Sequence, residues 1–257
     1  MQIPQLRQDA LEDCPFPVRV LPETDSTNDA LKRLPRAPHG TALVTSRQTA
    51  GRGRQGKSFA SPEGGVYLSV LLRPTAPASE LLCLPPMVAV AARRAIFDTC
   101  GVAAEIKWPN DLVCAGRKLA GILTERVRRD GADCVIVGLG VNCNTDPASF
   151  PPEVRSIAIS LRQITGKIVD PNELARNLVR RLAEMDAALL TDRKAWLAEY
   201  AAACLTVGKQ VQLVSGAERK AAFAEGIDEN GALIVRFENG ETAAVSTGEV
   251  SVRGIYG

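Results

Sequence analysis

The residues from Gly51 to Ser58 are the first candidates for chemistry, because three cationic side chains alternate there with three glycines. Arginine binds phosphate oxygens in a bidentate fashion, and glycine lets backbone N–H groups approach a ligand closely. The segment fits two phosphate-binding patterns, G-x-x-x-x-G-K-S and G-x-G-x-x-G. On this segment alone two interpretations stay open, an anion-binding loop and a solvated basic hairpin.

Both patterns require a helix that begins directly after the glycines, because the helix N-terminus holds the phosphates. The following residues, 59–65, contain one proline and two glycines, which disfavour a long helix. Pro74 stands near the position where the dinucleotide pattern requires an acidic residue. The sequence therefore predicts neither a P-loop nor a dinucleotide-binding fold.

A second cluster, residues 107–112, brings a lysine, an indole, an amide and a carboxylate together around Pro109. Two apolar segments flank the turn Ala115-Gly116, so we expect a hairpin that carries Lys118 to the same place. Taken singly, Trp108 also fits a core aromatic residue and Lys118 a surface lysine.

The elements that must position these clusters follow from the hydrophobic pattern. Residues 24–29 are rich in hydroxyl and carboxyl side chains, which often start helices, so we expect a helix from there to about residue 34. A second helix is expected over 79–100, with Pro85 and Pro86 inside it, and a third is expected to begin at Asp170. Strands are expected at 18–21, 41–45, 66–72, 104–107, 112–114, 119–127 and 134–139, then at 207–213, 223–227, 233–237 and 241–245. The change to short strands places a domain boundary near 204 and predicts a small β-barrel at 205–257.

Composition excludes several classes of protein. The 257 residues carry a net charge of only +2, too little for a protein-wide field that attracts nucleic acid or membrane. The seven cysteines include no Cys-x-x-Cys pair, which favours free thiols in a reducing cytoplasm over disulfides or zinc. The N-terminus lacks the features of a signal peptide, and no run of 18 apolar residues occurs. The single histidine, His39, disfavours histidine-dependent catalysis.

Five segments in order give the chain a resemblance to the biotin protein ligases. They are Asp25-Ser26-Thr27-Asn28, the 51–57 loop preceded by Gln48, residues 107–112, residues 117–123, and Gly138-Leu139-Gly140-Val141-Asn142. Together with the C-terminal region, the resemblance covers nearly the whole chain. Lys57 and Phe59 stand where the family often has arginine and tryptophan, from which we expect altered affinity rather than lost activity.

The resemblance implies a mixed α/β catalytic domain, related to class II aminoacyl-tRNA synthetases, over 1–204, followed by an SH3-like β-barrel over 205–257. It implies a two-step reaction in which ATP, with Mg²⁺, and biotin form biotinyl-5′-AMP, after which a lysine of a biotin carboxyl carrier protein domain takes the biotin. The DNA-binding domain of repressor-type members is not expected, because Ser26-Thr27-Asn28 comes early in the chain. We expect a cytoplasmic monomer or homodimer that binds neither DNA nor membrane.

The resemblance also assigns residues, and their chemistry agrees with the reaction. The neutral ureido ring of biotin suits uncharged hydrogen-bonding groups, whereas cations must screen the carboxylate that attacks a phosphate. The biotin set is Ser26, Thr27, Asn28, Gln48, Gly51, Arg52, Gly53, Arg54, Lys118 and Gly121. The ATP and adenylate set is Arg52, Arg54, Lys57, Trp108, Asn110, Lys118 and Asn142. Lys118, Arg54 and Asp111 are the catalytic candidates, and no metal ligands are assigned.

Three alternatives compete with this interpretation. A lipoate–protein ligase uses the same adenylate chemistry, but lipoate has no ureido ring to engage the polar set. A nucleic-acid-binding module would need aromatic stacking residues beside the basic loop, and more positive charge. A non-catalytic biotin sensor would bind biotin without releasing pyrophosphate.

Overall fold

A computed structural model of the chain describes residues 3–75, 78–129, 131–215, 218–246, 248–252 and 255–256. The strands are β1 Val18–Val20, β2 Ala42–Thr45, β3 Val66–Leu72, β4 Glu105–Lys107, β5 Asp111–Cys114, β6 Arg117–Arg129, β7 Ala132–Val141, β8 Gln210–Ser215, β9 Glu218–Ile227, β10 Leu233–Phe237, β11 Thr242–Val245 and β12 Glu249–Val252. The α-helices are α1 Thr27–Arg33, α2 Leu84–Cys100, α3 Pro152–Arg155, α4 Leu161–Thr165, α5 Pro171–Ala188 and α6 Arg193–Ala203. Short 3₁₀ helices occur at Asp9–Leu11, Arg54–Gly56, Ala78–Cys83 and Pro147–Ser149.

A seven-stranded sheet forms the first part of the molecule, with the strand order β1-β2-β3-β7-β6-β5-β4. Strands β1 and β2 are parallel and all other neighbours are antiparallel. Every residue of β3 is buried, as expected for a central strand that is covered on both faces. The mixed sheet confirms the predicted fold class.

Helices α2, α5 and α6 cover one face of this sheet and form the main hydrophobic core with it. Helix α5 begins as the sequence predicts, because Asp170 accepts a hydrogen bond from the backbone N–H of Asn172 and Pro171 occupies the first turn. Its apolar stripe, Leu174, Leu178, Leu182 and Met185, is buried. Pro85 and Pro86 lie in the first turn of α2, where backbone N–H groups have no partner within the helix, so the missing N–H of proline costs no hydrogen bond.

Helix α1 lies on the opposite face, and this face carries the pocket. Across β3, β7 and β6, the residues Tyr67, Gly140 and Gly121 form one cross-strand row, and Ser69, Gly138 and Leu123 form the next. The two glycine-bearing rows leave room above the sheet, because a glycine has no side chain to fill it.

The C-terminal part is an antiparallel five-stranded sheet with the order β11-β10-β9-β8-β12. The segment that leads into this sheet contacts the first sheet, since Leu205 donates its N–H to the carbonyl of Ile106 in β4 at 2.9 Å. The indole N–H of buried Trp108 donates to the carbonyl of Gly231 at 3.1 Å. One hydrophobic core therefore continues across the predicted boundary near 204.

The sequence pattern missed α3, α4, α6 and β12. Helix α6 has Ala201, Ala202 and Ala203 at its end and a weak apolar stripe, so it gives little periodic signal. Helices α3 and α4 have four and five residues, too few to show a helical period. No helix among the described residues is long and apolar enough to cross a membrane.

Candidate active site

A pocket of about 290 Å³ opens above the glycine-bearing face of the seven-stranded sheet. The start of α1, the loop 52–59, the turn 107–111 and parts of β6 and β7 surround it. All predicted site residues except Gly51 and Asn142 line this pocket. The lining set comprises Ser26, Thr27, Asn28, Gln48, Arg52, Gly53, Arg54, Lys57, Trp108, Asn110, Asp111, Lys118 and Gly121.

A neutral polar wall closes one side of the pocket. Ser26 caps α1 and is followed by Thr27 and Asn28, and all three residues are buried. The side-chain carbonyl of Gln48 accepts the backbone N–H of Thr27 at 2.8 Å, while its amide donates to Ser61 Oγ at 2.8 Å. Hydrogen bonds thus fix the wall before any ligand enters.

The glycine–arginine loop is a short hairpin. Arg52 pairs with Ser58 in an antiparallel bridge, and the N–H of Gly53 donates to the carbonyl of Lys57 at 2.7 Å. No helix follows Gly56 before β3 begins, which confirms that neither phosphate-binding pattern has its expected structure. Gly51 lies at the base of this hairpin, where its carbonyl accepts the N–H of Phe59 at 2.9 Å.

Two arginines of this loop are held by contacts on different sides of the pocket. Arg52 binds Asp29 at 2.8 Å, whereas Arg54 lies 3.4 Å from both the side-chain oxygen of Asn110 and the carbonyl of Gly248. Burial acts to raise the pKa of Asp29, but Lys32 and Arg52 outweigh it and leave the pKa below its usual value. Arg52 thus ties the loop to α1.

The aromatic ring of Phe59 lies against the paired glycines Gly121 and Gly140. A Cβ atom added at Gly140 would lie 2.4 Å from the ring, and one added at Gly121 would lie 2.7 Å from it. Lys118 Nζ lies 5.4 Å from the centre of the same ring. The glycine pair therefore makes the space that Phe59 occupies.

A charged group lies at the other end of the pocket. Lys118 Nζ is 2.7 Å from Asp111 Oδ1, and the hydroxyl of Tyr256 donates to Asp111 Oδ2 at 2.8 Å. Burial raises the pKa of Tyr256 and the adjacent carboxylate raises it further, so the phenol keeps its proton and acts as a donor. Lys107 Nζ lies 4.3 Å from the centre of the Tyr256 ring.

Three of the predicted nucleotide residues differ in their exposure to the pocket. Asn110 is half-buried, and its amide donates to the carbonyl of Ile122 at 2.8 Å. Trp108 is buried and its indole N–H is already bonded, so it forms a wall rather than a polar contact. Asn142 directly follows β7 beside the start of β6, where its amide donates to the carbonyls of Lys118 and Ile159 at 3.3 and 3.1 Å.

Sequence reasoning missed three residues that complete the site. Ser69 and Glu125 lie behind the polar wall, and Tyr256 lines the pocket beside Asp111. Ser69 left a signal, since it is the one polar residue in the buried apolar run of β3. Glu125 and Tyr256 left none, because a glutamate in a charged stretch and a tyrosine in a loop are ordinary in a sequence.

The arrangement favours a ligand that is neutral at one end and anionic at the other. The polar wall carries no charged side chain, whereas cations line the loop and the far end. Asp111 is the single carboxylate among the lining residues. Among the residues that the structure describes, no three His, Cys, Asp or Glu side chains group as metal ligands would.

Comparisons with known proteins bear on this site. Residues 20–142 match the Biotin/lipoate A/B protein ligase family, and residues 206–253 match the Biotin protein ligase C terminal domain. The Bifunctional ligase/repressor BirA of Bacillus subtilis (strain 168) is 43% identical over 136 residues, which cover 52% of this chain but only 42% of that protein.

Two further matches extend over most of both chains. The Biotin--[acetyl-CoA-carboxylase] ligase of Paracoccus denitrificans is 36% identical over 233 residues, covering 84% of this chain and 93% of that protein. The structure of a biotin protein ligase from Aquifex aeolicus in complex with biotin and ATP superposes with a TM-score of 0.80 at 32% identity, covering 92% of this chain and 98% of the other. With the fold, the pocket and both family regions in agreement, the chain belongs to the biotin protein ligase family.

Proposed function

We propose that this protein joins biotin to AMP with ATP and then transfers the biotin to a lysine of a biotin carboxyl carrier protein domain. The observation that carries the proposal is the division of one pocket into an uncharged polar wall and a cationic end. Relatives whose names state biotin ligation, and an Aquifex structure that contains biotin and ATP, support it.

The polar wall suits the ureido ring of biotin. Ser26, Thr27, Asn28 and Gln48 offer donors and acceptors without net charge, as a neutral ring requires. Phe59 and the glycine pair beneath it offer an apolar surface for the rest of the bicyclic ring. Gly53 and Gly121 line the same region, where the missing side chain of Gly121 makes room for the Phe59 ring.

The cationic end suits the reacting groups. When the biotin carboxylate attacks the α-phosphate of ATP, two anions meet, and fixed positive charges stabilise the transition state. Arg52, Arg54, Lys57 and Lys118 supply these charges, and Asn110 and Trp108 add a polar contact and a wall for the nucleotide. Asn142 supports the strand that carries Lys118.

Mg²⁺ is part of this proposal as a partner of ATP. Asp111 is the single carboxylate among the lining residues, and the part of the chain that the structure describes offers no group of three His, Cys, Asp or Glu side chains that would hold the ion alone. A magnesium ion usually keeps several waters and binds through one or two carboxylates plus substrate phosphates. These residues therefore fit an ion that arrives with the triphosphate, and it would add positive charge there.

In the second step a carrier lysine must lose a proton before its nitrogen attacks the activated carbonyl. We assign Asp111 to orient or accept that proton, because its carboxylate is held beside Lys118 inside the pocket. We assign residues 205–257 to carrier docking or to closing the ATP side, since Val250, Tyr256 and the carbonyl of Gly248 lie at the pocket.

The decisive experiment incubates the protein with ATP, Mg²⁺ and biotin and detects biotinyl-5′-AMP and pyrophosphate. A biotin carboxyl carrier domain is then added, and its mass is expected to rise by one biotinyl group. Lipoate replaces biotin in a parallel reaction, and equal use of both acids would favour a lipoate–protein ligase. If the protein binds biotin but releases no pyrophosphate, it is a non-catalytic biotin sensor. If it neither binds biotin nor releases pyrophosphate, the proposal is contradicted.

A further inference from the structure

Tyr256 reaches the charged end of the pocket from the far end of the chain. Its backbone N–H donates to the carbonyl of Gly116, in the turn between β5 and β6, at 3.2 Å. The N–H of Ile255 donates to the carbonyl of Val252, the last residue of β12, also at 3.2 Å. These two residues are thus joined both to the C-terminal sheet and to the hairpin that β5 and β6 form.

The side chain that Tyr256 meets there is the carboxylate of Asp111. This side chain is only 13% exposed, and Lys118 Nζ lies 2.7 Å from its Oδ1 atom. Oδ1 nevertheless has no hydrogen-bond partner among the described residues, so Lys118 compensates the charge of the carboxylate without fixing its direction. The hydroxyl of Tyr256 donates to Oδ2 at 2.8 Å, which is a directed bond. The two oxygens are therefore held in different ways, one by charge and the other by a hydrogen bond.

Lys118 has a second task in the proposed reaction. Its ammonium group must face the biotin carboxylate and the α-phosphate of ATP when these two anions meet. The further it turns towards them, the less it compensates Asp111, and a buried carboxylate without a partner is costly. Among the contacts that the structure describes, the hydroxyl of Tyr256 is the donor that then stays on Asp111.

We propose that Tyr256 is a positioning residue for adenylate formation, whose hydroxyl holds Asp111 while Lys118 turns from that carboxylate to the reacting anions. The inference rests on the proposed function, because it needs the carboxylate and the phosphate of that reaction. It gives the C-terminal segment a part in the chemistry, in addition to carrier docking or closure of the ATP side.

A neutral phenol suits this position better than a charged donor. Burial raises the pKa of Tyr256 and the carboxylate of Asp111 raises it further, so the hydroxyl keeps its proton and stays a donor. Because the phenol carries no charge, it does not compete with Lys118 for the phosphate as a second ammonium group would. Lys107 Nζ lies 4.3 Å from the centre of the Tyr256 ring, and this cation–π contact holds the ring in place.

The test compares wild type with Tyr256→Phe, which removes the hydroxyl but keeps the ring beside Lys107. We measure the rate constant of biotinyl-5′-AMP formation in single turnovers with saturating ATP, Mg²⁺ and biotin. This rate constant is expected to fall about tenfold, as for the loss of one hydrogen bond to a charged group. The apparent dissociation constants of biotin and ATP are expected to change less than about twofold, because the hydroxyl faces Asp111 rather than either substrate.

Combining the change with Asp111→Asn separates positioning from general damage. In that background no buried charge loses its partner when Lys118 turns away, so Tyr256→Phe should slow adenylate formation no further. A general defect would instead slow both backgrounds by the same factor. Tyr200→Phe is the matched control and should keep the wild-type rate, because its buried hydroxyl donates to the carbonyl of Pro109 and not to Asp111.

The outcomes distinguish this inference from the proposed function. Wild type that forms no adenylate contradicts both. If wild type forms adenylate, an unchanged rate in Tyr256→Phe, or an equal loss of rate with and without Asp111→Asn, contradicts the inference alone.

A crystal structure decides if Tyr256→Phe fails to fold or if Asp111→Asn forms no measurable adenylate. It contains the wild type with a non-hydrolysable analogue of biotinyl-5′-AMP. Lys118 is expected to face the acyl-phosphate position, with Tyr256 still donating to Asp111. A lost bond between Tyr256 and Asp111, or Lys118 still paired with that carboxylate, would overturn the inference.

Discussion

The two faces of the seven-stranded sheet are formed by the same strands but differ in what they do. One face packs into the hydrophobic core, and the other forms the floor of the pocket. On the face covered by α2 and α5, Leu68, Leu139 and Ile122 form a cross-strand row of buried aliphatic side chains. The neighbouring row, Tyr67, Gly140 and Gly121, faces the other side of the sheet and lies beneath Phe59. Because side chains alternate across a strand, one face can be filled completely while the other is kept open. Substitutions on the two faces should therefore alter different measurable quantities.

The largest expected effect is on the filled face. Leu68→Ala removes a completely buried side chain and should lower the free energy of unfolding by about 2–5 kcal/mol, through lost burial and the cavity left behind. Urea denaturation measures this change, with Leu190→Ala, which truncates a residue 61% exposed, as the control. If Leu68→Ala also lowered the rate of adenylate formation per folded molecule, by a factor equivalent to its loss of unfolding free energy, the two faces would not have separate roles.

The next largest effect concerns chemistry at the open face. Lys118→Ala should reduce adenylate formation about 10²–10³-fold, as loss of one preorganised group that stabilises developing charge typically does. Biotin affinity and thermal stability should change much less. Single-turnover pyrophosphate release measures the rate, and Lys220→Ala in β9 controls for the loss of a lysine. Adenylate formation near the wild-type rate would show that Lys118 has no catalytic role.

A smaller effect is expected from filling the open face. Gly140→Ala places a methyl group against the ring of Phe59 and should weaken biotin binding by about 1–3 kcal/mol through overpacking. Gly226→Ala in β9 is the matched control, because nothing lies within 4 Å of a Cβ atom there. Equal biotin affinity in both variants would mean that the glycine pair does not shape the pocket.

The smallest effect concerns the loop above the open face. Arg54→Gly removes long contacts to Asn110 and Gly248, so biotinyl-5′-AMP should leave or hydrolyse about two- to tenfold faster. In the wild type, trypsin should cut after Arg52, Arg54 or Lys57 in the free protein, and biotin with ATP should suppress these cuts. Cleavage that does not respond to ligand, or an unchanged off-rate of the adenylate, would exclude a lid.

The contrast between the faces also explains what the sequence could reveal. The filled face has a strong hydrophobic pattern, from which the bounds of β3, the start of α5 and the end of α2 were predicted, whereas α2 begins at Leu84 rather than near residue 79. The site was predicted where its residues are grouped in short segments such as 51–57 and 107–112. Glu125, Ser69 and Tyr256 were missed because their roles depend on partners 97, 41 and 145 positions away in the chain. Such pairings arise only from the tertiary fold, which brings α1 and the segment after β12 against the strands of the first sheet.

The bond between Trp108 and Gly231 limits how freely parts of related ligases can be exchanged. The indole depends on a carbonyl from the C-terminal sheet, and a Cβ atom at Gly231 would lie 2.3 Å from Pro86. A chimaera that takes its C-terminal sheet from a relative must therefore inherit a compatible turn at Asn230-Gly231, or exchange Pro86 and Trp108 with it. In this protein, domain exchange at the boundary near residue 204 is therefore constrained by three contacting residues, Pro86, Trp108 and Gly231, which must change together.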